Sequence, residues 1–327
     1  MTEWAPGPVH VVAPASSANL GPGFDALGLA LSMYDELTGE VVDDGLDVIV
    51  EGVGAEELTL DESHLVVSSM RATFNVLGVS PPGLRLRCRN VVPHGMGLGS
   101  SAAAIVGGIV LARALVLDGV RRLDDAAVLG LAARIEGHRD NVAAALCGGM
   151  TIALADDDAR GIQVARVELR ERLGVVVFVP PAPVPTSLAR GLLPENVPHR
   201  AAAANAGRAA LLVAAVQGDR AQLFVATRDE LHQHYREPAM PQSYAFMSAL
   251  RDRGVPAIIS GAGPAVLAFA VEPFGGEELS THAPAQWRAH VLDVDTAGAR
   301  VVAGAVHPEP DPAMNRSDAE GVAVDNK

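Results

Sequence analysis

Apolar and polar positions alternate over Leu84–Val92, with Leu84, Leu86 and Cys88 on one face and Arg85, Arg87 and Arg89 on the other. A period of two residues predicts a half-buried β-strand, and the arginines fit a solvated sheet face better than a phosphate patch. Asp47–Glu51 alternates in the same way, and Val9–Ala13 reads as a short strand running into Pro14. Residues 14–31 are dense in Pro, Ser, Asn and Gly and are expected to be loop until the apolar Leu27–Leu31 segment. Further strands are expected at Thr151–Ala155, Val175–Val179, Ala257–Ile259, Val266–Val271 and Arg300–Ala303. Helical spacing marks His64–Leu77, Asp124–Ile135, Ala201–Gln217, Asp219–His234, Ser243–Gly254 and Gln286–Val291. Asp124 and Asp125 lie where the helix dipole favours acids, and Gly254 is placed as a C-cap. The pattern is a mixed α/β one.

At 327 residues the chain has room for two packed domains. A charged, apolar-poor stretch near residues 156–172 sets the expected boundary, giving segments 1–160 and 161–306. From His307 to Lys327 the chain is rich in Pro, Asp and Glu, and 307–327 is expected to be a disordered acidic tail. With 49% hydrophobic and 20% charged residues, global disorder is excluded. A net charge of −14 argues against nucleic-acid and anionic-membrane partners, although local loops can still hold a polyphosphate. Cys88 and Cys147 sit in apolar contexts and read as buried thiols of a reducing compartment. No export signal is visible, and Gly107, Gly108 and Arg113 interrupt the longest apolar run, so the expectation is a soluble, cytoplasmic protein.

The candidate chemistry begins at Val91–Leu117, VVPHGMGLGSSAAAIVGGIVLARALVL. Gly95, Gly97 and Gly99 alternate, Ser100 and Ser101 follow as favoured N-caps, and a buried helix continues from them. A glycine-rich loop entering a helix N-terminus is a ready anion site, so a phosphate is expected here. No Gly-Lys-Ser/Thr follows and G-x-G-x-x-G is absent, which removes the P-loop and the dinucleotide fingerprint. Taken alone, the loop also fits a tight connection. Glu136-Gly137-His138-Arg139-Asp140-Asn141 gathers polar and metal-capable groups between apolar segments, where a helix C-cap at Gly137 with an exposed turn is the plain alternative.

The motif PxGxGLGSSAA resembles the phosphate loop of the GHMP small-molecule kinases, and PASSANLGPGFDALGLAL at 14–31 resembles the first motif of the homoserine kinases among them. EGHRDN resembles their EGHPDN, with Arg139 where Pro is usual. Thr186–Pro194 is similar to TxxARxxLP, LHQHYR at 231–236 to LHEPYR, and Ser260–Pro264 to the third family motif. The resemblance implies an α/β (α+β) two-domain fold: a ribosomal-protein-like N-terminal domain and a ferredoxin-like C-terminal one. It implies ATP and Mg2+ as cofactors, L-homoserine as acceptor, and is compatible with a homodimer. Pro93, His94, Gly95, Met96, Gly97, Leu98, Gly99, Ser100, Ser101 and Ala102 would hold the phosphates, and Ser101 and Glu136 the metal. Asn19, Asp25, His138, Arg190, Arg236, Gly261 and Gly263 would face the amino acid, with Asn141 orienting its hydroxyl and Asp140 the residue to suspect as a base. The rival readings are another GHMP kinase, acting on mevalonate, a sugar or a diphosphocytidyl alcohol, and a non-catalytic sensor. Intact Glu136 and serines speak against the sensor.

Overall fold

A computed structural model of the chain describes residues 4–155 and 161–303; the expected acidic tail at 307–327 and residues 156–160, just before the proposed 160/161 boundary, lie outside that description. The N-terminal half supplies β1 (Val9–Ala18), β2 (Leu27–Val42), β3 (Gly45–Gly52), β4 (Gly83–Asn90), β5 (Met150–Ala155) and β6 (Ile162–Val167). Its helices are α1 (Leu65–Leu77), α2 (Ser100–Leu115), the four-residue α3 (Gly119–Arg122), α4 (Asp125–Glu136) and α5 (Arg139–Cys147). The second half supplies β7 (Gly174–Val179), α6 (Thr186–Gly191), α7 (His199–Gln217), α8 (Leu223–Ala226), α9 (Pro241–Asp252), β8 (Ala257–Ile259), β9 (Val266–Ala270), α10 (Gly276–Ser280), β10 (Arg288–Asp293) and β11 (Arg300–Val302). Among the described residues no helix is long and apolar enough to cross a membrane.

Two sheets result. The larger runs β11-β1-β2-β4-β3, with the β5–β6 hairpin attached to the start of β2; β3 and β4 are parallel. The smaller is antiparallel in the order β10-β7-β9-β8. The larger sheet takes strands from both sides of residue 160, since β6 pairs with β5 and β11 returns to β1. Helices α1, α2, α4 and α5 bury Met70, Phe74, Val106, Ile109 and Leu131 over it, and a second core joins Leu29, Leu31 and Met150 to Val175, Leu267 and Phe269. On β4, Leu84, Leu86 and Cys88 are fully buried, while Arg85 pairs with Glu40 and Asp47, Arg87 with Glu51 and Arg89 with Glu36. The arginines therefore brace neighbouring strands on the outer face, as a solvated sheet face does.

Four local expectations need correcting. Residues 14–18 are strand, because a bulge between Pro14 and Ala15 lets β1 bend and keep pairing with β2. Residues 219–234 form no single helix: the Asp229 carboxylate takes the N–H groups of Leu231, His232 and Gln233 at 2.8, 3.0 and 2.7 Å, and Arg251 takes the Phe224 carbonyl at 2.6 Å. Side chains that satisfy backbone groups compete with helix in this way. Residues 286–291 belong mostly to β10, since Gln286 at φ +70° interrupts a helix and the edge of β7 takes the segment. The cap of α2 is Gly99, not a serine, so Ser100 and Ser101 are its first helical residues and their hydroxyls are spared for other partners.

Asp35 fixes the junction between β4 and the glycine loop. Its buried carboxylate accepts the N–H groups of Val91 and Val92 at 2.6 and 2.9 Å. Burial raises its pKa from 3.8 to about 6, and the two N–H bonds only partly counter this. A folded-state pKa above the unfolded one gives stability that is complete below the unfolded value and lost as pH rises through about 6. The span corresponds to roughly 3 kcal/mol. Asp35→Asn, neutral throughout, should therefore gain several degrees of Tm relative to the parent between pH 4 and pH 7.5. Parallel Tm curves for the two proteins across that range would contradict the argument.

Candidate active site

The glycine loop, the loop between β1 and β2, the α4–α5 junction and the β8–β9 turn converge on one cavity of about 250 Å³. Backbone conformation makes the convergence. Gly97 has φ +76°, and a Cβ there would lie 2.2 Å from the Ser260 carbonyl; Gly99 has φ +66°, and its Cβ would lie 2.0 Å from Ser16 Oγ. Only glycine lets the loop press this closely against both neighbours. The contact is sealed by hydroxyls: Ser260 Oγ donates to the Gly97 carbonyl at 2.6 Å and lies 2.8 Å from Ser17 Oγ, while Ser16 N donates to Leu98 O at 2.9 Å.

Two helices begin at this cavity. In α2 the first hydrogen bond that closes a helical turn runs from Ala103 N to Gly99 O, leaving Ser100, Ser101 and Ala102 N–H without an intrahelical carbonyl. Helix α5 starts at Arg139, directly after its cap His138, and contributes Asp140 and Asn141 to the cavity wall. Positive helix ends and free N–H groups together favour an anion. Helix α4 ends at Glu136, where Gly137 turns into the left-handed region at φ +79°. An acid at a helix C-terminus opposes the dipole, so local propensity does not explain Glu136.

Ser101 Oγ donates to Glu136 Oε1 at 2.9 Å, and His138 Nδ1 lies 3.6 Å from the same oxygen. Octahedral Mg2+ with bonds of about 2.1 Å sets neighbouring oxygens roughly 2.9–3.0 Å apart, so this hydroxyl and carboxylate have the chemistry and spacing of two adjacent ligands. Among the described residues no group of three or more His, Cys, Asp or Glu is placed to hold a metal ion by itself.

The opposite wall is ionic. Arg190 pairs with Asp25 through Nη2 to Oδ1 at 2.7 Å, both side chains being partly exposed to the cavity. Arg236 is 1% exposed; Nη1 donates to the Gly261 carbonyl at 3.0 Å, and among the described residues Nε has no partner. Burial, with Arg190 adding to it, lowers the Arg236 pKa to about 10, which still leaves it charged near neutrality. A buried charged donor without an acceptor marks a place for an anionic group. Asn19 spends its side chain on the frame: Nδ2 donates to Gly261 O at 2.8 Å and Oδ1 accepts from Asp25 N at 2.9 Å. Asn19, Leu20 and Asp25 all have positive φ, a concentration of strain in one short loop of the kind found at binding sites.

Asn141 Oδ1 accepts from Ser16 Oγ at 3.0 Å, and its Nδ2 makes a long contact to Asp140 Oδ1 at 3.5 Å. Asp140 is buried, its carboxylate accepts from Asn141 N at 2.9 Å, and burial raises its pKa. Of the residues singled out in the sequence, Asn19, Asp25, Gly95, Gly97, Leu98, Gly99, Ser100, Ser101, Glu136, His138, Asn141, Arg190, Arg236 and Gly261 line the cavity together. Pro93, Met96, Ala102 and Gly263 do not line it. Met96 instead ties the loop to Ala265 through its carbonyl at 3.1 Å, and Gly263 packs against Met240. His94 lines a second cavity of about 200 Å³, which meets the first at Ser100 and Ser101 and holds His64, buried with Nδ1 unpartnered among the described residues. Sequence reasoning gave no role to Ser16, Ser17 or Ser260, although all three lie inside motifs it singled out.

The described geometry has close relatives. Residues 64–149 match the model of the GHMP kinases N terminal domain. The homoserine kinase of Streptomyces coelicolor is 52% identical over 294 residues, covering 90% of this chain and 94% of its own, and that of Streptomyces avermitilis is 51% identical with 90% and 95% covered. The crystal structure of homoserine kinase from Cytophaga hutchinsonii superposes with a TM-score of 0.81 at 26% identity, covering 92% of this chain and 99% of that one.

Proposed function

The chain belongs to the homoserine kinase family of the GHMP kinases, and on that premise we propose that it transfers the γ-phosphoryl group of ATP to the side-chain hydroxyl of L-homoserine, giving O-phospho-L-homoserine on the way to threonine. One observation carries the assignment of acceptor: a single cavity joins a phosphate-type helix N-terminus to an ammonium and carboxylate receptor made of Asp25, Arg190 and Arg236.

Phosphoryl transfer asks mainly for positioning and charge stabilisation. The open N–H groups at the start of α2 hold the phosphates, helped by the N-terminal end of α5. Ser101 and Glu136 would hold Mg2+, which would supply positive charge against the negative charge that develops in phosphoryl transfer. The second cavity, beside His64 and His94, takes the nucleoside. Homoserine enters by exchange: its ammonium replaces Arg190 as partner of Asp25, and its carboxylate takes Arg190 and the guanidinium of Arg236. The Arg190–Asp25 pair thus offers each charge of the zwitterion an opposite charge. Asn141, locked through Oδ1 by Ser16, presents Nδ2 to the reacting hydroxyl, and His138 lies beside it. In a loose transition state the hydroxyl needs orientation more than a strong base.

A coupled ADP-release assay over L-homoserine, mevalonate, galactose and 1,3-propanediol tests the reading. L-Homoserine should exceed every other acceptor in kcat/KM by at least about 100-fold, because each acceptor lacking a charged group leaves a protein charge unpaired. Mevalonate or galactose ahead of homoserine would overturn the assignment.

A further inference from the structure

Arg236 does not stand alone in its buried site. His232 lies one helical turn earlier and is fully buried, with Nε2 2.8 Å from the Gly21 carbonyl and Nδ1 3.0 Å from Arg236 Nη1. The carbonyl can only accept, so Nε2 carries the proton and Nδ1 offers a lone pair to the guanidinium. A second proton at Nδ1 would set donor against donor. Burial, followed by the neighbouring Asp229 and Arg236 charges in opposite senses, leaves the ring pKa lowered to about 4, consistent with a neutral imidazole. The His232 ring also stacks on Phe24, with centroids 5.3 Å apart and planes at 30°, and the guanidiniums of Arg236 and Arg190 lie 5.6 and 6.0 Å from that same Phe24 ring.

Arg236 therefore has two acceptors on Nη1, His232 and Gly261 O, and none on Nε. Two acceptors at one corner of a planar fork fix its rotation where Arg236 lines the cavity. We propose that His232 is a positioning residue for substrate binding, whose Nδ1, set by the Gly21 carbonyl, holds the Arg236 guanidinium in the orientation that receives the acceptor's carboxylate. The backbone of the loop between β1 and β2, which carries Asn19 and Asp25, is thereby linked through one ring to the carboxylate receptor. This rests on the reading of Arg236 given under Proposed function.

Two conservative variants separate positioning from support of the fold. His232→Asn places an amide oxygen near the position of Nδ1, keeping the acceptor for Arg236 and losing the Gly21 contact. His232→Gln places its amide near the position of Nε2, keeping the Gly21 contact and losing the acceptor. Each loses one buried hydrogen bond, so a merely structural role predicts similar losses of Tm and similar kinetics for both. The proposal predicts that Gln raises the KM for L-homoserine at least about 10-fold with the KM for ATP within twofold, whereas Asn stays within about threefold of the parent in both. Equal effects in the two variants, or KM values for ATP and homoserine that move together, would overturn it. Arg236→Leu assayed in parallel distinguishes the underlying reading: if it shows no preference against carboxylate-bearing acceptors, the carboxylate assignment fails and this proposal falls with it. If it shows that preference while Gln and Asn behave alike, only the role of His232 is lost.

Discussion

Glu136→Ala should lower kcat by about 1000-fold, roughly 4 kcal/mol of transition-state stabilisation, while the protein stays folded. Its Oε1 lies 2.9 Å from Ser101 Oγ at the rim of the α2 N-terminus, and no other carboxylate reaches that hydroxyl among the described hydrogen bonds. The side chain is mostly buried, with Ser101 and His138 as its polar neighbours, and it sits at the unfavourable end of α4. Removing it should leave Tm unchanged or slightly raised, since a charge opposing the dipole is worth a few tenths of a kcal/mol. A loss of turnover together with a gain of stability is the signature of a residue kept for chemistry. Titrating Mg2+ adds a second readout, because the half-saturating concentration should rise as well. Near-parental turnover at saturating Mg2+ would remove Glu136 from the metal.

Arg236→Leu should cost about 30- to 1000-fold in kcat/KM with L-homoserine, the equivalent of roughly 2–4 kcal/mol for a carboxylate left without its buried partner. The same variant should lose only a few fold of its slow activity on 1,3-propanediol, which has no carboxylate to lose. Selectivity is the quantity to read, because the substitution also strands His232 Nδ1 and leaves Gly261 O with Asn19 Nδ2 alone, and so lowers Tm by several degrees. A stability defect reduces the concentration of active enzyme for every acceptor alike. If activity on both acceptors falls in proportion, Arg236 serves the fold or the nucleotide.

The glycine loop was legible because its chemistry is local: alternate glycines ahead of a helix imply open N–H groups wherever the chain goes next. Asp25 and Arg190 were legible as charges in the right motifs, but not as partners of one another. They are 165 residues apart, and the pairing exists only because α6 packs over the loop between β1 and β2. Ser16, Ser17 and Ser260 were given no role for a related reason, since a serine in or beside a strand looks like filler until the group it must satisfy is known. The broken segment at 219–234 shows local periodicity yielding to side-chain acceptors. The strand at 288–293 shows propensity yielding to an open sheet edge.

The pairing of β11 with β1, His10 opposite Val302, has a consequence for how the protein is made. The first strand emerges from the ribosome with one edge unpaired, and the strand that covers it is nearly the last of the described chain to be synthesised. Contacts between such distant segments are entropically slow to form. The cavity waits too, because Arg236 and Gly261 join it from the second half. During synthesis the nascent chain therefore carries an exposed strand edge and no assembled catalytic centre, the condition in which chaperones act and edge-to-edge association competes with folding. The cavity is complete only once Arg236 and Gly261 have been made, late in the described chain.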